Sequence, residues 1–495
     1  MVDYKKIGNL KRLRFTSLQV FLDIEFKKVF FNDRWRFSKK AKGLIVFSII
    51  AVMLISVFAF LPKQGSSIVP QSTDPPTSPT PSPSSTTRIT PQNISISQII
   101  QLMPDQPTPS PTPRIPGLIE SAQKINSTVW RAVANNAWNY FQNDVGVDPN
   151  TGLPYASGID FMGFTDWDLG VYIQAVVDAQ EIGLVNSSGV WGSNYRFDKV
   201  LTFLETRELN NNSYPYWFYN ATDGGNYQSL SDLSNASVDV VDTGRLFVAL
   251  NNLRNFNNNF TTRINNFVYN TNGTRSDYAA LVPSIAQDAN SNSIYAYYYD
   301  SGFASFWPKK LGNLPSSIIN NLSNSPAVIT SGNVSLPKSA ISCDPLLCSL
   351  FELSNNSKLT ALANQVYLAH EAYYNATNQF IAFSEGQAGT SGYIWEWVIS
   401  PNGDTWKIQN QDGLSSGDYL RIAPVFYTKV AFSFLALYNT TFAHNMVVCL
   451  EQNLPDPAHG YADGMDNNSN IFGSIGSNTN GLILDAAQYA IQNNP

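Results

Sequence analysis

The sequence predicts a mainly α-helical protein with about ten or more antiparallel helices and one small β insert. Three observations predict this fold class. Apolar residues recur with helical spacing through most of residues 116–495. Turn clusters rich in Gly, Asn and Pro separate the periodic segments, and only one section has the features of paired strands. A helical toroid and a superhelix of helix pairs both accommodate that many helices.

Residues 43–61 form an uncharged, almost wholly apolar run that predicts a transmembrane helix, because about 19 residues at helical rise span roughly 28 Å. Residues 1–42 are rich in Lys and Arg, which predicts a cytoplasmic N-terminus and an extracellular C-terminal domain. The alternative is a cleaved signal peptide. The long basic segment and the absence of small residues around Pro62 disfavour cleavage. We therefore expect a signal-anchor in the cell membrane.

Residues 62–115 are rich in Pro, Ser and Thr and predict a disordered stalk, since this composition favours polyproline II and cannot bury a core. Residues 116–495 form the globular part, which is acidic, with a formal charge of about −15 at neutral pH. This balance excludes nucleic acid and anionic lipid as partners of the domain.

Sequons for N-linked glycans are dense, and all lie after the apolar run. We expect a glycoprotein whose exterior surface is solvated by sugars. The fourteen acceptors are Asn93, Asn126, Asn186, Asn211, Asn220, Asn235, Asn259, Asn272, Asn321, Asn333, Asn355, Asn375, Asn439 and Asn467.

Eleven segments of the globular part have helical periodicity. They are Ile119–Phe141, Asp166–Glu181, Phe197–Leu209, Val240–Leu253, Arg263–Tyr269, Tyr278–Ala286, Ile294–Phe303, Leu359–Tyr374, Val425–Tyr438, Phe442–Leu450 and Gly481–Gln492. The β insert is predicted at Phe380–Glu385, Tyr393–Ser400 and Thr405–Gln409, with a hairpin turn at residues 401–404.

Cysteine and histidine contribute little chemistry. Cys343 and Cys348 predict a small loop disulfide in an oxidising exterior, whereas Cys449 lies in an apolar helical stretch and is expected to be a buried free thiol. The three histidines are far apart in sequence and lack the spacing of metal ligands. We expect no metal site and no cofactor.

Four carboxylates are candidates for catalysis or substrate binding. Asp168 follows Thr165 by three residues, which is a capping-box pattern, and Asp242 follows Asp239 in the same way, so a purely structural role is open for both. Asp166 beside Trp167 has a better claim to a cavity. Glu385 has no capping role, and a strand-end Glu near an apolar wall is a natural general acid because burial keeps it protonated.

Aromatic residues form a second group. Trp167, Trp395 and Trp397 lie in loops or in the β insert, where flat rings stack on the C–H faces of sugars. The alternative is that these large rings fill the core of a large helical domain.

The order of several motifs resembles the domain of unknown function 3131, a family related to glucoamylase-like (α/α) toroids. The resemblance covers about residues 130–491 and excludes residues 323–350, which do not align. The motifs are Thr151-Gly152-Leu153-Pro154, Thr165-Asp166-Trp167-Asp168-Leu169-Gly170-Val171-Tyr172, Asp242-Thr243-Gly244-Arg245-Leu246, Tyr297-Tyr298-Tyr299-Asp300-Ser301-Gly302-Phe303, Ser384-Glu385-Gly386, Thr428-Lys429-Val430-Ala431-Phe432 and Asn478-Thr479-Asn480-Gly481-Leu482-Ile483-Leu484-Asp485-Ala486.

The resemblance implies a toroid of inner and outer helices with a pocket at one end. This pocket would be lined by Asp166, Trp167, Asp168, Asp242, Arg245 and Glu385. An acid expected near the last loop appears as Asp463 or Asp466. Glucoamylase-like toroids are commonly inverting, which implies two carboxyl groups about 6.5–9.5 Å apart.

The first hypothesis is a membrane-anchored glycoside hydrolase that acts on an exterior glycan. Glu385 would be the general acid, and Asp166, with Asp168 as fallback, would be the base that activates water. Trp167, Asp242, Arg245, Trp395, Trp397 and Asp463 would bind the carbohydrate. The second hypothesis is a non-catalytic glycan-binding or cell-envelope structural protein.

Overall fold

The computed structural model describes residues 116–493, except for residues 159–160, 229–235, 288–292, 330 and 411–417. These residues belong to a compact unit that spans residues 115–495. The predicted cytoplasmic segment, membrane span and stalk lie outside the described residues. Within the described ranges, no helix is both long and apolar enough to cross a membrane.

The described part contains fifteen α-helices and ten short strands. The helices are α1 (Leu118–Ser121), α2 (Ser127–Trp138), α3 (Asp166–Ile182), α4 (Ser193–Thr206), α5 (Val240–Phe256), α6 (Thr261–Val268), α7 (Val282–Gln287), α8 (Ile294–Phe306), α9 (Pro308–Leu311), α10 (Leu314–Asn324), α11 (Cys343–Glu352), α12 (Ser357–Thr377), α13 (Thr428–Tyr438), α14 (Thr441–Asn453) and α15 (Ser477–Asn493).

The strands form four small antiparallel sheets. They are β1 (Gly163–Phe164), β2 (Tyr219–Asn220), β3 (Ala327–Ile329), β4 (Ser335–Pro337), β5 (Glu385–Gln387), β6 (Tyr393–Ile399), β7 (Thr405–Asn410), β8 (Val425–Tyr427), β9 (Gly464–Asp466) and β10 (Ile471–Phe472). The sheet β5-β6-β7 corresponds to the predicted β insert, although its first strand is Glu385–Gln387 rather than Phe380–Glu385. Glu385 pairs with Trp395 in its register.

Six helices form a closed inner ring. Each packs against the next in the order α3, α5, α8, α11, α13 and α15, and α15 returns to contact α3. The helices α2, α4, α6, α10, α12 and α14 pack outside this ring. Inner and outer helices alternate along the chain, so the architecture is the (α/α) toroid of six helix pairs rather than an open superhelix.

Because inner and outer helices alternate along the chain, one end of the ring carries short connecting segments and the other carries long ones. Each inner helix passes to its outer neighbour through a short segment, such as residues 257–260 and 439–440. Each outer helix returns to the next inner helix through a long segment, such as residues 207–239 and 378–427. All six inner helices therefore begin at the end with the long loops, where their N-terminal amides and dipoles converge.

Glycines in the sequence motifs allow the inner helices to approach closely. A Cβ atom at Gly302 of α8 would overlap the carbonyl oxygen of Gly244 in α5. A Cβ atom at Gly481 of α15 would overlap the Val171 side chain in α3. The motif glycines therefore stand at helix crossings, where any larger side chain would push two inner helices apart.

The predicted N-terminal caps are confirmed. Thr165 and Asp168 form a reciprocal capping box on α3, and the Asp239 side chain accepts hydrogen bonds from the Val241 and Asp242 amides of α5. Helix periodicity also located most other elements, although Ile119–Phe141 is divided into α1, α2 and a short 3₁₀ turn.

The sequence interpretation misses three helices, α9, α10 and α11. It also predicts a loop disulfide that the structure does not contain, because Cys343 and Cys348 lie in one helix and both are buried free thiols. Cys449 is a free thiol as expected but is only half-buried. Helix α11 was missed because it is buried on nearly all sides. A helix of this kind has no polar face, so residues 339–352 show no clear helical period.

The interior of the ring holds three carboxyl groups, Asp178, Glu352 and Asp485, around the guanidinium of Arg245. Burial raises the pKa of Asp178 to about 6, and burial together with the neighbouring acids raises the pKa of Glu352 and Asp485 well above the usual range. The folded state therefore binds more protons than the unfolded state above pH 4.

We expect the free energy of unfolding to be greatest near pH 4 and to fall as the pH rises through about 6. The sign follows because raised carboxyl pKa values favour the folded state only while the groups remain protonated. Denaturant titrations at pH 4, 5.5 and 7 measure this slope. The variant Asp178→Asn should reduce the slope, and stability that increases between pH 4 and 7 would contradict the interpretation.

Candidate active site

The end of the ring with the long loops gathers the polar side chains that the sequence places far apart. Asp168 lies in the first turn of α3, Asp344 in that of α11 and Lys429 in that of α13. Glu385 enters from strand β5, and Asp463 precedes strand β9. All five side chains are buried. Hydrogen bonds to the first turn of α15, the ion pair of Lys429 with Asp344 and the electrostatic effect of both on Glu385 link them into one cluster.

Glu385 is 5% exposed, and its Oε2 accepts a hydrogen bond of 2.7 Å from the Tyr295 hydroxyl at the start of α8. Burial raises the pKa of Glu385 to about 7, and the nearby Asp344 carboxylate adds to this effect. Lys429 and the Tyr295 hydroxyl act in the opposite direction because they stabilise the ionised form. Glu385 is therefore a carboxyl group that carries a proton up to neutral pH.

Asp344 is fully buried and forms an ion pair with Lys429. Its Oδ2 also accepts hydrogen bonds from Asn478 at 3.0 Å and from Ser384 at 3.4 Å. Ser384 precedes Glu385, so these contacts fix the start of strand β5 against the inner ring. Lys429 thus supplies the positive charge that lets a buried carboxylate remain beside Glu385.

Both carboxylate oxygens of Asp168 accept hydrogen bonds. Its Oδ2 accepts from the Thr165 amide at 2.9 Å, and its Oδ1 accepts from the Ser477 hydroxyl at 2.9 Å. Burial raises the pKa of Asp168, while these hydrogen bonds favour its ionised form. Ser477 and Asn478 are adjacent in α15, so the first turn of this helix joins Asp168 to Asp344.

Asp463 faces Lys429 from the loop before β9. Its Oδ1 accepts a 2.5 Å hydrogen bond from Thr479, and burial raises its pKa to about 6. The predicted binding residue Asp463 therefore belongs to the cluster. The alternative Asp466 accepts from backbone amides of residues 468 and 470 and shapes the turn between β9 and β10.

The environment of Asp166 differs from the one predicted for a general base. Its two oxygens accept hydrogen bonds from Arg207 at 2.5 and 3.2 Å, and both side chains are buried. Tyr278 accepts a further hydrogen bond from the same guanidinium. This bidentate pair ties α3 to the segment after α4 and favours a structural role for Asp166.

Arg245 also differs from its expected role in binding substrate. It is 2% exposed, pairs with Glu352 and contacts the Tyr298 hydroxyl inside the ring. Its guanidinium lies 5.4 Å from the ring centroid of Trp167, so it supports that indole from within. Trp167 in turn donates a 3.4 Å hydrogen bond to Asn478 at the cluster.

The other predicted binding residues differ in how far they are buried. Asp242 is half-buried, accepts a hydrogen bond of 3.2 Å from Trp217, and has its pKa raised by burial and by Asp239 and Asp168. Trp395 is half-buried opposite Glu385 in the sheet. Trp397 is 5% exposed and packs edge-on behind Tyr295, so it supports the site from within.

Several residues of the cluster were not predicted as functional, namely Tyr295, Asp344, Lys429, Ser477 and Asn478. One sequence signal could have found Lys429, because a lysine in the first turn of an otherwise apolar helix opposes the helix dipole and needs a nearby anion. Asp344 had no such signal, since its helix lies in the segment that resembled no known motif.

We expect Tyr295→Phe to shift the pH dependence of any activity that requires protonated Glu385. The lost hydroxyl stabilises the carboxylate, so its removal raises the pKa of Glu385 further. The alkaline limb of a pH–rate profile should then move to higher pH. The matched variant Tyr373→Phe, which alters a tyrosine on outer helix α12, should leave the profile unchanged. A shift to lower pH would contradict this assignment.

Comparisons with known proteins agree with this architecture. The sequence model of the family described as "Protein of unknown function (DUF3131)" matches residues 132–493. The sequence has no match among curated proteins. A candidate glucoamylase from Bacteroides caccae is similar in structure, with a TM-score of 0.51 and 14% identity over 74% of this chain and 95% of that chain.

Two endo-β-1,2-glucanases are similar to the same extent. The enzyme from Chitinophaga pinensis, in complex with sophorotriose and glucose, has a TM-score of 0.50 and 11% identity over 74% of this chain and 95% of its own. The enzyme from Talaromyces funiculosus, in complex with sophorose, has a TM-score of 0.50 and 11% identity over 75% of this chain and 87% of its own. At this identity the similarity concerns the fold.

Proposed function

This chain belongs to the DUF3131 family, and from the geometry of the cluster and the fold that it shares with endo-β-1,2-glucanases we propose that it is a glycoside hydrolase. The observation that carries the proposal is Glu385, a buried carboxyl group whose pKa is raised to about 7, near the buried pair of Asp344 and Lys429. A protonated acid among fixed charges is what cleavage of a glycosidic bond requires.

In the proposed mechanism Glu385 donates its proton to the leaving oxygen of the glycosidic bond. Asp168 accepts a proton from the water that attacks the anomeric carbon on the opposite face. We assign the base to Asp168 rather than to Asp166, because Asp166 is held in a buried bidentate ion pair with Arg207, whereas the partners of Asp168 are an amide and a hydroxyl. We expect inversion of the anomeric configuration, because the glucoamylase-like toroids that the motifs resemble are commonly inverting.

The other residues of the cluster tune the acid or are assigned to binding of the sugar. Lys429 pairs with Asp344, and burial together with the nearby Asp344 raises the pKa of Glu385 so that the acid remains protonated. We assign Trp395, which is half-buried and pairs with Glu385 in the sheet, to stacking on a sugar ring, with the largely buried Trp167 as a second candidate. Asp242 and Asp463 are placed to accept hydrogen bonds from sugar hydroxyls.

The substrate class is a glucan. Similar structures include enzymes that act on β-1,2-glucan and bind sophorose, which makes β-1,2-linked glucose the first polymer to test. We also propose that the enzyme acts outside the cell on the end of a membrane-anchored stalk. The apolar run of residues 43–61, the preceding basic segment and the Pro-rich segment support this location.

A panel of soluble glucans, with β-1,2-glucan and starch as its first members, tests the proposal. The full chain in detergent should release reducing ends from at least one polymer, and proton NMR during the reaction should show the inverted anomer first. Binding of a glucan without release of reducing ends, in a protein shown to be folded by its cooperative unfolding, would favour a non-catalytic glycan-binding protein.

A further inference from the structure

At the end of the ring opposite the carboxyl cluster, sequon asparagines recur in the connections between helices. We name this surface the far end and define it by Asn126, the N-cap of α2, and by the segments 183–192, 257–260, 307–313, 353–356 and 439–440. These are the short connections in which an inner helix ends and an outer helix begins. The exposed side chains of the far end are therefore remote from the carboxyl cluster.

Five of these six places carry a sequon asparagine, and all five asparagines are exposed. They are Asn126, Asn186, Asn259, Asn355 and Asn439. The sixth place, residues 307–313, instead contains Lys309 and Lys310. A sequon thus stands at each helix-pair connection of the far end except the one that has charged side chains.

The connecting segments of the far end contain few of the charged side chains that normally solvate a protein surface. The five connecting segments contain no Asp or Glu, although the globular part is acidic as a whole. Val190 is 81% exposed and lies four residues from Asn186. A surface with few charged side chains and an exposed aliphatic residue needs another source of solubility.

We infer that the far end carries N-linked oligosaccharides at these five asparagines and that they solvate and shield it. In the reaction, the amide nitrogen Nδ2 of asparagine forms a bond to the anomeric carbon of a lipid-linked oligosaccharide. The bond from that carbon to the lipid phosphate breaks, the phosphate leaves with the bonding electrons, and Nδ2 loses one proton to the transferase. The inference rests on the exterior location proposed above and goes beyond the hydrolase function.

The local geometry is compatible with this modification. At Asn126 the cap uses the oxygen Oδ1, which accepts from the Thr128 and Val129 amides at 3.0 and 3.2 Å. A sugar on Nδ2 therefore leaves the cap intact. Asn467 gives the contrast, because it is half-buried and its Nδ2 donates a 2.8 Å hydrogen bond to the Phe380 carbonyl. We expect Asn467 to remain unmodified.

Glycopeptide mass spectrometry of the full chain, purified from membranes of the organism that encodes it, tests the inference. Sugar-bearing peptides are expected at the five far-end asparagines, together with an unmodified Asn467 peptide. Unmodified peptides at the far end, or modification of Asn467 instead, would overturn the inference.

Protease treatment of intact cells separates a failure of this inference from a failure of the proposed location. If external protease degrades the domain and the far-end peptides carry no sugar, the glycan inference is wrong and the hydrolase proposal stands. If protease cannot reach the domain, the exterior location and the glycan inference fail together.

A variant provides an independent measurement. Thr128→Ala, Ser188→Ala, Thr261→Ala, Ser357→Ala and Thr441→Ala together remove the five sequons and keep every asparagine. The variant should migrate as a smaller species on denaturing gels and aggregate sooner on heating, with its glucan hydrolysis unchanged. Unchanged migration would overturn the inference.

Discussion

Glu385→Gln is expected to lower the rate of glucan hydrolysis by about 10²–10⁴-fold, the usual contribution of a general acid. The amide has the size of the carboxyl group and its oxygen still accepts from the Tyr295 hydroxyl, so the sheet β5-β6-β7 should remain in place. It cannot donate a proton to a leaving alkoxide. The loss should therefore appear in kcat, with a small change in KM.

The leaving group gives a more specific measurement than the rate alone. An aryl glucoside with an acidic phenol needs little protonation, so Glu385→Gln should impair its hydrolysis far less than that of a glucan. Glu181→Gln is the matched control, because Glu181 is exposed at the opposite end of α3. Equal loss on both substrates would indicate that Glu385 has another role, and full activity of Glu385→Gln would remove it from the mechanism.

The neighbouring acids Asp166 and Asp168 are expected to respond in opposite ways to replacement by asparagine. Asp168→Asn should lose about 10²–10⁴-fold in hydrolysis because an amide cannot accept a proton from water. Its stability at pH 7 should be nearly unchanged. Burial already disfavours the charge on Asp168, and asparagine can still accept from the Thr165 amide.

Asp166→Asn should instead destabilise the fold by about 3–5 kcal/mol, since it leaves the buried Arg207 without a compensating charge. The comparison requires kcat and the free energy of unfolding for both variants under the same conditions. Loss of kcat in a stable Asp166→Asn protein, with full activity in Asp168→Asn, would restore Asp166 as the base and contradict our assignment. Arg207→Met combined with Asp166→Asn should recover part of the lost stability.

The pH dependence of the protein follows from the same buried acids. Stability is expected to decline as Asp178 and its neighbours ionise, while hydrolysis declines as Glu385 loses its proton near pH 7. Both effects favour function on the acidic side of neutrality. Measured separately, they distinguish loss of the fold from loss of the catalytic proton.

A single sequence was enough to predict the helical class, the caps of α3 and α5 and the approximate position of the β insert, and it put forward Glu385 and Asp168 as candidate functional residues. These features depend on local periodicity and on contacts within a few residues, which a single sequence displays directly. The motif glycines were also visible, although their role was not, because Gly244 and Gly302 meet only where α5 and α8 cross.

The pairing of buried carboxylates with Arg and Lys side chains, in contrast, became visible in the folded protein alone. Arg207 and Asp166 are 41 residues apart, and Lys429 and Asp344 are 85 residues apart, so no local pattern predicts either pair. The closed ring brings six helix N-termini together and buries the acids beside them, which raises the pKa of Asp168, Glu385 and Asp463. Local sequence fixes which side chains are available, whereas closure of the ring determines which carboxyl groups stay protonated, ionised or neutralised by a cation.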